Sequence, residues 1–287
     1  MAASRVAGAE LTDPRASRVT AARRLVKRAF RARGRQFLAE GPQAVGEALE
    51  QPGVVRELFA TRPAAERHAH LITAAERSGI PIHLVSGEVF DTLAQTVTPQ
   101  GVLAVCRFVD VPFDEVVASG PLLVALLAYV RDPGNAGTVL RCADAAGSDA
   151  VIFTDASVDV YNPKCVRASA GSLFHLPVCV GVRPVEAANA LRAEGLTVLA
   201  ADGSGEVDLP TATSQGLLSG PTVWIFGNEA WGLPGEIRDL AHAVVRVPVF
   251  GRAESLNLAT AAAVCLYSSA NAQRAAGGCR AAESTVG

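Results

Sequence analysis

No stretch of this chain is apolar for long enough to cross a membrane. The longest such run, Pro121–Val130 (PLLVALLAYV), is about half of the roughly 20 residues a spanning helix needs, and it reads as a buried strand. The N-terminus has no apolar signal core, which argues against secretion and for a cytoplasmic protein. It is Arg- and Ala-rich, as an organelle transit peptide is, but its basic stretch runs on into predicted helix. The six cysteines (Cys106, Cys142, Cys165, Cys179, Cys265, Cys279) include no C-x-x-C pair, and no histidine cluster accompanies them. That leaves a zinc site or a disulfide framework unsupported, and no metal is expected. Most of these cysteines have apolar neighbours and read as reduced core residues. No glycine-rich G-x-G-x-x-G loop follows the first strand of the C-terminal half, which disfavours a nicotinamide-dependent Rossmann enzyme. Of the 26 basic residues only Lys27 and Lys164 are lysine; with so much Ala and Gly this points to a GC-rich genome.

What is present begins with a hydrophobic content of 49 % over 287 residues, enough for two domains with a sizeable core. The formal net charge of −2 hides an asymmetry. Residues 1–35 carry ten basic and two acidic side chains (+8), and the remainder carries sixteen basic and twenty-six acidic (−10). Such an arm suits a polyanion, either nucleic acid or an acidic membrane surface; the plainer reading is a solvated, partly disordered tail.

Two regions follow. In the first, Ala16–Arg33 is predicted helical, Gln36–Ala39 extended, Gln43–Glu50 helical, Val54–Ala60 extended, Pro63–Ser78 helical, and Ile80–Val85 and Gly101–Phe108 extended. This is the pattern of a small α/β sandwich. Asp110–Gly120 reads as a linker. The second region predicts strands at Pro121–Tyr129, Ala150–Thr154, Leu176–Val180, Thr197–Ala201, Thr222–Phe226 and Ala243–Val249, most of them separated by helices, and a long last helix at about Leu256–Gln273. Near-continuous apolar strands joined by helices indicate a parallel sheet covered on both faces. The domain division is therefore 1–35 basic arm, 36–108 small α/β domain, 109–120 linker, 121–276 parallel α/β domain and 277–287 tail.

Three segments at predicted strand ends look unlike scaffold. In Arg131-Asp132-Pro133-Gly134-Asn135-Ala136-Gly137, the turn residues are accounted for structurally, with Asn135 placed to cap the next helix and Gly147 to end it. Arg141, inside a mostly apolar helix, is not; an arginine near a helix N-terminus can hold an anion. Phe226-Gly227-Asn228-Glu229 delivers a carboxylate at the end of a buried strand, where glycine permits close backbone approach. Glu254-Ser255-Leu256-Asn257 opens the last helix, with Ser255 a good N-cap and Asn257 a poor helix former.

In type, order and spacing these segments resemble the three signature motifs of the SpoU/TrmH family of RNA ribose 2′-O-methyltransferases, within the SPOUT superfamily. Asp132-Pro133-x-Asn135-x-Gly137 with Arg141 and Gly147 resembles the first, Gly227-Asn228-Glu229-x-x-Gly232-Leu233 the second, and Val247-Pro248 with Glu254-Ser255-Leu256-Asn257 the third. The first region is similar to the ribosomal-protein-like substrate-binding domain of rRNA-directed members, with Phe37-x-x-Glu40-Gly41 as its marker. The resemblance implies a C-terminal α/β domain with a deep trefoil knot, which topology rules alone would exclude. It implies S-adenosylmethionine bound by backbone groups of Gly227, Val247, Val249 and Leu256. It also implies a homodimer with the knot helices in its interface; the Ala-rich last helix fits that use and equally fits a core helix. Asn135, Glu229, Ser255 and Asn257 would orient the reactants, with Arg141 clamping the target phosphate and 2′-oxygen. An arginine of pKa about 12.5–13.8 is a costly base at neutral pH. Arg23, Arg24, Arg28, Arg31, Arg33 and Arg35 would contact RNA, expected to be 23S rRNA or the large ribosomal subunit. The alternatives are a tRNA ribose methyltransferase or a non-catalytic RNA-binding protein on the same fold. Antibiotic-producing actinobacteria protect their ribosomes with similar enzymes, and the composition is compatible with such a resistance role.

Overall fold

The structure, a computed structural model, describes residues 9–277; Cys279 and the tail beyond Gly277 lie outside the described residues. The chain forms two units. The first ends at Val109 but also takes back Asp159–His175, a segment that follows a strand of the second unit in sequence.

The first unit opens with α1 (Ser17–Arg24) and α2 (Arg28–Gly34) and continues with β1 (Gln36–Glu40), α3 (Pro42–Glu50), β2 (Val55–Thr61), α4 (Arg62–Arg67), α5 (Ala69–Arg77), β3 (Ile82–Val85), α6 (Gly87–Leu93) and β4 (Val102–Arg107). Its four-stranded sheet has the order β1-β4-β2-β3, antiparallel except for β2 with β3. The basic arm is therefore folded from Ser17 on, as two helices where one was expected. Val19, Ala22 and Leu25 bury against Leu38, Phe59 and Val85, which holds α1 on the sheet. The expected helix over Pro63–Ser78 is likewise broken, at His68, whose φ of −111° and ψ of 42° leave the helical region.

The returning segment contains α9 (Pro163–Ala168), whose side chains join the first unit's core. Tyr161 stacks on Phe108 with ring centroids 3.7 Å apart and lies 4.8 Å from Phe37, and its hydroxyl accepts the Val109 N–H at 2.8 Å. One arginine of the arm must be reassigned. Arg31 is 2 % exposed; its Nε and Nη2 donate to Asp159 Oδ2 and its Nη1 to the carbonyls of Leu25 and Val26. A buried guanidinium with all these partners is a structural tie and is not offered to RNA. Arg23, Arg24, Arg28, Arg33 and Arg35 remain exposed.

The second unit begins with α7 (Phe113–Ala118), where a linker was expected; Val116 is buried in that unit's core, so the segment is part of the fold. It continues with β5 (Leu123–Leu127), α8 (Pro133–Ala146), β6 (Ala150–Thr154), β7 (Val178–Val182), α10 (Pro184–Ala193), β8 (Thr197–Ala201), β9 (Val207–Asp208), α11 (Leu209–Ser214), β10 (Thr222–Phe226), α12 (Gly235–Arg238), β11 (Ala243–Arg246) and α13 (Leu258–Ala275). Seven parallel strands run in the order β7-β6-β5-β10-β8-β11-β9. β5, β6 and β10 are buried at every residue, as strands covered on both faces must be. α8 and α13 pack together, Tyr267 Oη donating to the Ala145 carbonyl, and Trp224 is anchored beneath α13 by its Nε1 donating to Ser269 Oγ at 2.8 Å. Among the described residues no helix is long and apolar enough to cross a membrane, and no group of three or more His, Cys, Asp and Glu side chains is arranged to hold a metal.

Candidate active site

The loops after β8, β10 and β11 and the N-terminal end of α8 converge at the carboxyl ends of the central strands, the usual place for a site in a parallel sheet. They line a cleft of about 760 Å³.

Each loop has a local reason for its shape. After β5, Asp132 caps α8, its Oδ1 accepting the Asn135 N–H at 2.8 Å. The cap is Asp132, three residues before the Asn135 expected in that role, and this frees the Asn135 side chain. Gly147 ends α8 in the left-handed conformation, as expected of it. After β10, Asn228 and Gly232 exchange two backbone hydrogen bonds of 2.9 Å, and Asn228 Oδ1 accepts the Ala230 N–H. A Cβ on Gly227 would stand 2.5 Å from the carbonyl carbon and oxygen of Gly232, so only glycine closes this turn. After β11, Asn257 rather than Ser255 caps α13, accepting the N–H groups of Ala259 and Thr260.

A chain of hydrogen bonds joins the three loops. Glu229 Oε1 accepts from the Asp132 N–H (3.1 Å) and from Asn135 Nδ2 (3.2 Å), and Glu229 Oε2 accepts from the Arg131 N–H (3.2 Å). Asn135 Oδ1 in turn accepts from Asn257 Nδ2 at 3.0 Å. Partial burial alone would raise the Glu229 carboxyl pKa, but the hydrogen bonds from its own amide, Arg131, Asn135 and Asp132 outweigh it and hold the group below the usual carboxylate value. Glu229 is thus an anion at neutral pH whose lone pairs are already engaged by donors. That suits it to orienting neighbours and not to collecting a proton.

Of the residues singled out in sequence, Asn135, Glu229, Ser255 and Asn257 line the cleft, as do Gly227, Val247, Val249 and Leu256. Arg141 does not. It lies on the exposed stripe of α8 with Thr138 and Ala145, outside the cleft of its own chain. Asp202, at the end of β8, is a wall residue that motif reading missed; its Oδ1 accepts from the backbone and hydroxyl of Ser204. Its position just past an apolar strand was the available signal.

Asp202, Glu229 and Glu254 line the cleft, with Arg246 as the one arginine in its described lining. That guanidinium is turned to the carbonyls of Gly205 and Glu206 and to Asp208. The lining is otherwise apolar or backbone, from Phe226, Val247, Pro248, Val249 and Leu256. Such a cleft suits a ligand with flat apolar parts and net positive charge.

Residues 122–267 match the model of the SpoU rRNA Methylase family. The chain belongs to that family. Residues 38–112 match a second family model, described as RNA 2′-O ribose methyltransferase substrate binding. Among its relatives is the 23S rRNA (guanosine(2553)-2′-O)-methyltransferase RlmP of Bacillus subtilis, 35 % identical over 80 % of this chain and 87 % of that protein. The 23S rRNA (uridine(2479)-2′-O)-methyltransferase of Streptomyces viridochromogenes is 30 % identical over 83 % of each. The structure superposes with a TM-score of 0.79 on an AdoMet-bound rRNA methyltransferase from Sinorhizobium meliloti, at 32 % identity, covering 91 % of this chain and 97 % of the other. This SpoU family member is an RNA methyltransferase, and S-adenosylmethionine is its methyl donor.

Proposed function

We propose that this protein transfers a methyl group from S-adenosylmethionine to a ribose 2′-hydroxyl of 23S rRNA. The observation that carries the reading is the hydrogen-bonded chain Arg131/Asp132–Glu229–Asn135–Asn257, which braces three loops from distant parts of the sequence around one cleft. The cleft fits the cofactor in its volume, within the roughly 300–1,000 Å³ of small-molecule sites, and in its excess of carboxylates for a sulfonium and an ammonium group. Gly227, Val247, Val249 and Leu256 would hold it. When bound it supplies an electrophilic methyl group.

The protein's own contribution is alignment, which can supply up to about 7–11 kcal/mol of a barrier. Asn135 and Asn257 are held in fixed rotamers by each other and by Glu229, and present their remaining polar capacity to the cleft. Ser255, exposed on the third loop and in the cleft lining, would meet the ribose. Arg141 acts as a phosphate clamp from the surface of α8. That surface adjoins the exposed Val264 and Tyr267 of α13, and we read it as the face covered by a second copy in a homodimer. A trefoil knot, as the family resemblance implies, would help bring loops so far apart in sequence onto one pocket. The exposed arginines at 23, 24, 28, 33 and 35 give the first unit a cationic surface for RNA phosphates.

The test is incubation with labelled S-adenosylmethionine and separate rRNA and tRNA pools. Label in alkali-resistant linkages of 23S rRNA is expected. Label confined to tRNA, or none at all, would refute the assignment.

A further inference from the structure

Beside the cleft stand two aromatic side chains that cofactor binding and methyl transfer leave unused. Trp231 is 53 % exposed, whereas the other tryptophan, Trp224, is fully buried. Trp231 belongs to the turn between Asn228 and Gly232, so it is carried by the same loop that sends Glu229 into the network. Its ring centroid lies 5.7 Å from that of Tyr129, with the planes at 42°.

Tyr129, just past the end of β5, has a φ of +60°, a conformation that sterics disfavour for a bulky residue. Both of its backbone polar atoms are held there. Its N–H donates to Thr154 Oγ1 at 3.1 Å, and its carbonyl accepts from Asn228 Nδ2 at 2.8 Å. Backbone strain of this kind persists only where the surroundings over-determine it, and it gathers at ligand clamps. The ring is partly buried against the unit's core with Trp231 beside it, while Asn228, from the loop after β10, fixes the backbone of Tyr129.

The charges that act on the phenol are acidic, Asp155 and Glu236. Burial and these carboxylates raise its pKa, so it remains a neutral hydroxyl. An aromatic pair flanked by carboxylates is a poor place for a phosphate. It is a good one for a nucleobase, whose π-face stacks on the rings.

We propose that Tyr129 and Trp231 form a platform on which an unpaired base of the substrate RNA stacks, holding one nucleotide at the edge of the cleft in which a ribose reacts. The inference rests on the rRNA methyltransferase reading and names a contact that reading does not supply. Because every base has a π-face, the platform would position the strand without dictating its sequence.

Trp231 is the exposed fluorophore and Trp224 the buried one, which gives a direct assay. Titration of the wild-type protein with a short single-stranded RNA oligonucleotide should quench the exposed component. Trp231→Phe should bind the oligonucleotide with similar affinity but without that quenching. With 23S rRNA as substrate, Trp231→Ala should raise KM about tenfold, within the range that removal of one base–aromatic stack produces. Its kcat at saturating RNA should fall far less, and Trp231→Phe should restore KM. An unchanged KM in Trp231→Ala, or unchanged fluorescence on RNA binding, would overturn the platform. So would dissociation of an oligomer by Trp231→Ala, which would make the patch a subunit contact. Failure of the wild-type protein to methylate any RNA would remove the enzymatic reading instead; the quenching titration still decides the platform.

Discussion

Glu229→Gln isolates the brace from the volume it occupies. Besides its own amide, the carboxylate accepts the Arg131 and Asp132 N–H groups and Asn135 Nδ2 at 3.1–3.2 Å. A hydrogen bond to a charged group contributes about 1.5–3 kcal/mol, and solvent exposure at this site puts each nearer 1 kcal/mol. Glutamine keeps one oxygen for Asp132 and Asn135 but turns an NH₂ towards the Arg131 N–H, donor against donor. Loss of one bond, loss of charge from the other two and the new repulsion together amount to about 2–3 kcal/mol of positioning free energy. Expressed in the transition state, that is roughly a 30- to 150-fold fall in kcat/KM. The assay is transfer of labelled methyl to 23S rRNA over a range of RNA concentrations, with calorimetric titration of S-adenosylmethionine alongside. Folding stability should fall by no more than the same roughly 2–3 kcal/mol, and S-adenosylmethionine affinity should fall less than kcat/KM, because Asp202 and Glu254 keep the cleft's excess of acidic residues. Asn135→Ala should give a similar loss, and the double variant less than the product of the two, since one hydrogen bond is shared between them. A Glu229→Gln enzyme within about threefold of wild type would refute the reasoning.

The pH dependence follows from the direction of the Glu229 shift. Its carboxyl pKa lies below the ordinary 4.5 in the folded state, so its hydrogen bonds are fully present above the unfolded value and are lost as pH falls through the folded one; a pH–kcat/KM profile should show no limb from Glu229 near neutrality, and one that Glu229→Gln abolished there would contradict this. Gly227→Ala should abolish S-adenosylmethionine binding in calorimetry, because the added Cβ falls 2.5 Å from the Gly232 carbonyl and the turn must open. Arg31→Ala should lower the stability of the first unit by about 3–5 kcal/mol in chemical denaturation, by stranding a largely buried Asp159. Arg24→Ala or Arg33→Ala should leave stability nearly unchanged and reduce the salt slope of RNA binding by about one. Burial raises the Cys265 thiol to about 12 and that of Cys179 to about 11, so in the native protein thiol reagents at mildly alkaline pH should modify the half-buried Cys142 well before either.

The parallel sheet was readable because β6, β8 and β10 are short apolar runs bounded by turn residues, and all three lie where periodicity placed them. Helix limits were less so. Asp132 and Asn135 are both good caps, as are Ser255 and Asn257, and only the paths of the loops decide which side chain meets the free N–H groups. Arg31 reads like its neighbours in a basic run, yet its acceptor, Asp159, lies far along the chain and could not be paired with it by spacing. The return of Asp159–His175 to the first unit was illegible for the same reason, since it depends on Tyr161 finding Phe37 and Phe108. At the site, the motif residues were legible by type and order. Asp202 offered only its position just past an apolar strand, and the strained Tyr129 offered no signal, because its significance lies in loop conformation.

The most direct measurement is the position of the transferred methyl group in wild-type protein and in Asn257→Ala, which removes the far end of the brace. Wild type should place label in an alkali-resistant linkage of 23S rRNA, and the variant should bind S-adenosylmethionine yet transfer the methyl group far more slowly. Label on a base, or full activity in the variant, would contradict a cleft built to line up a ribose hydroxyl.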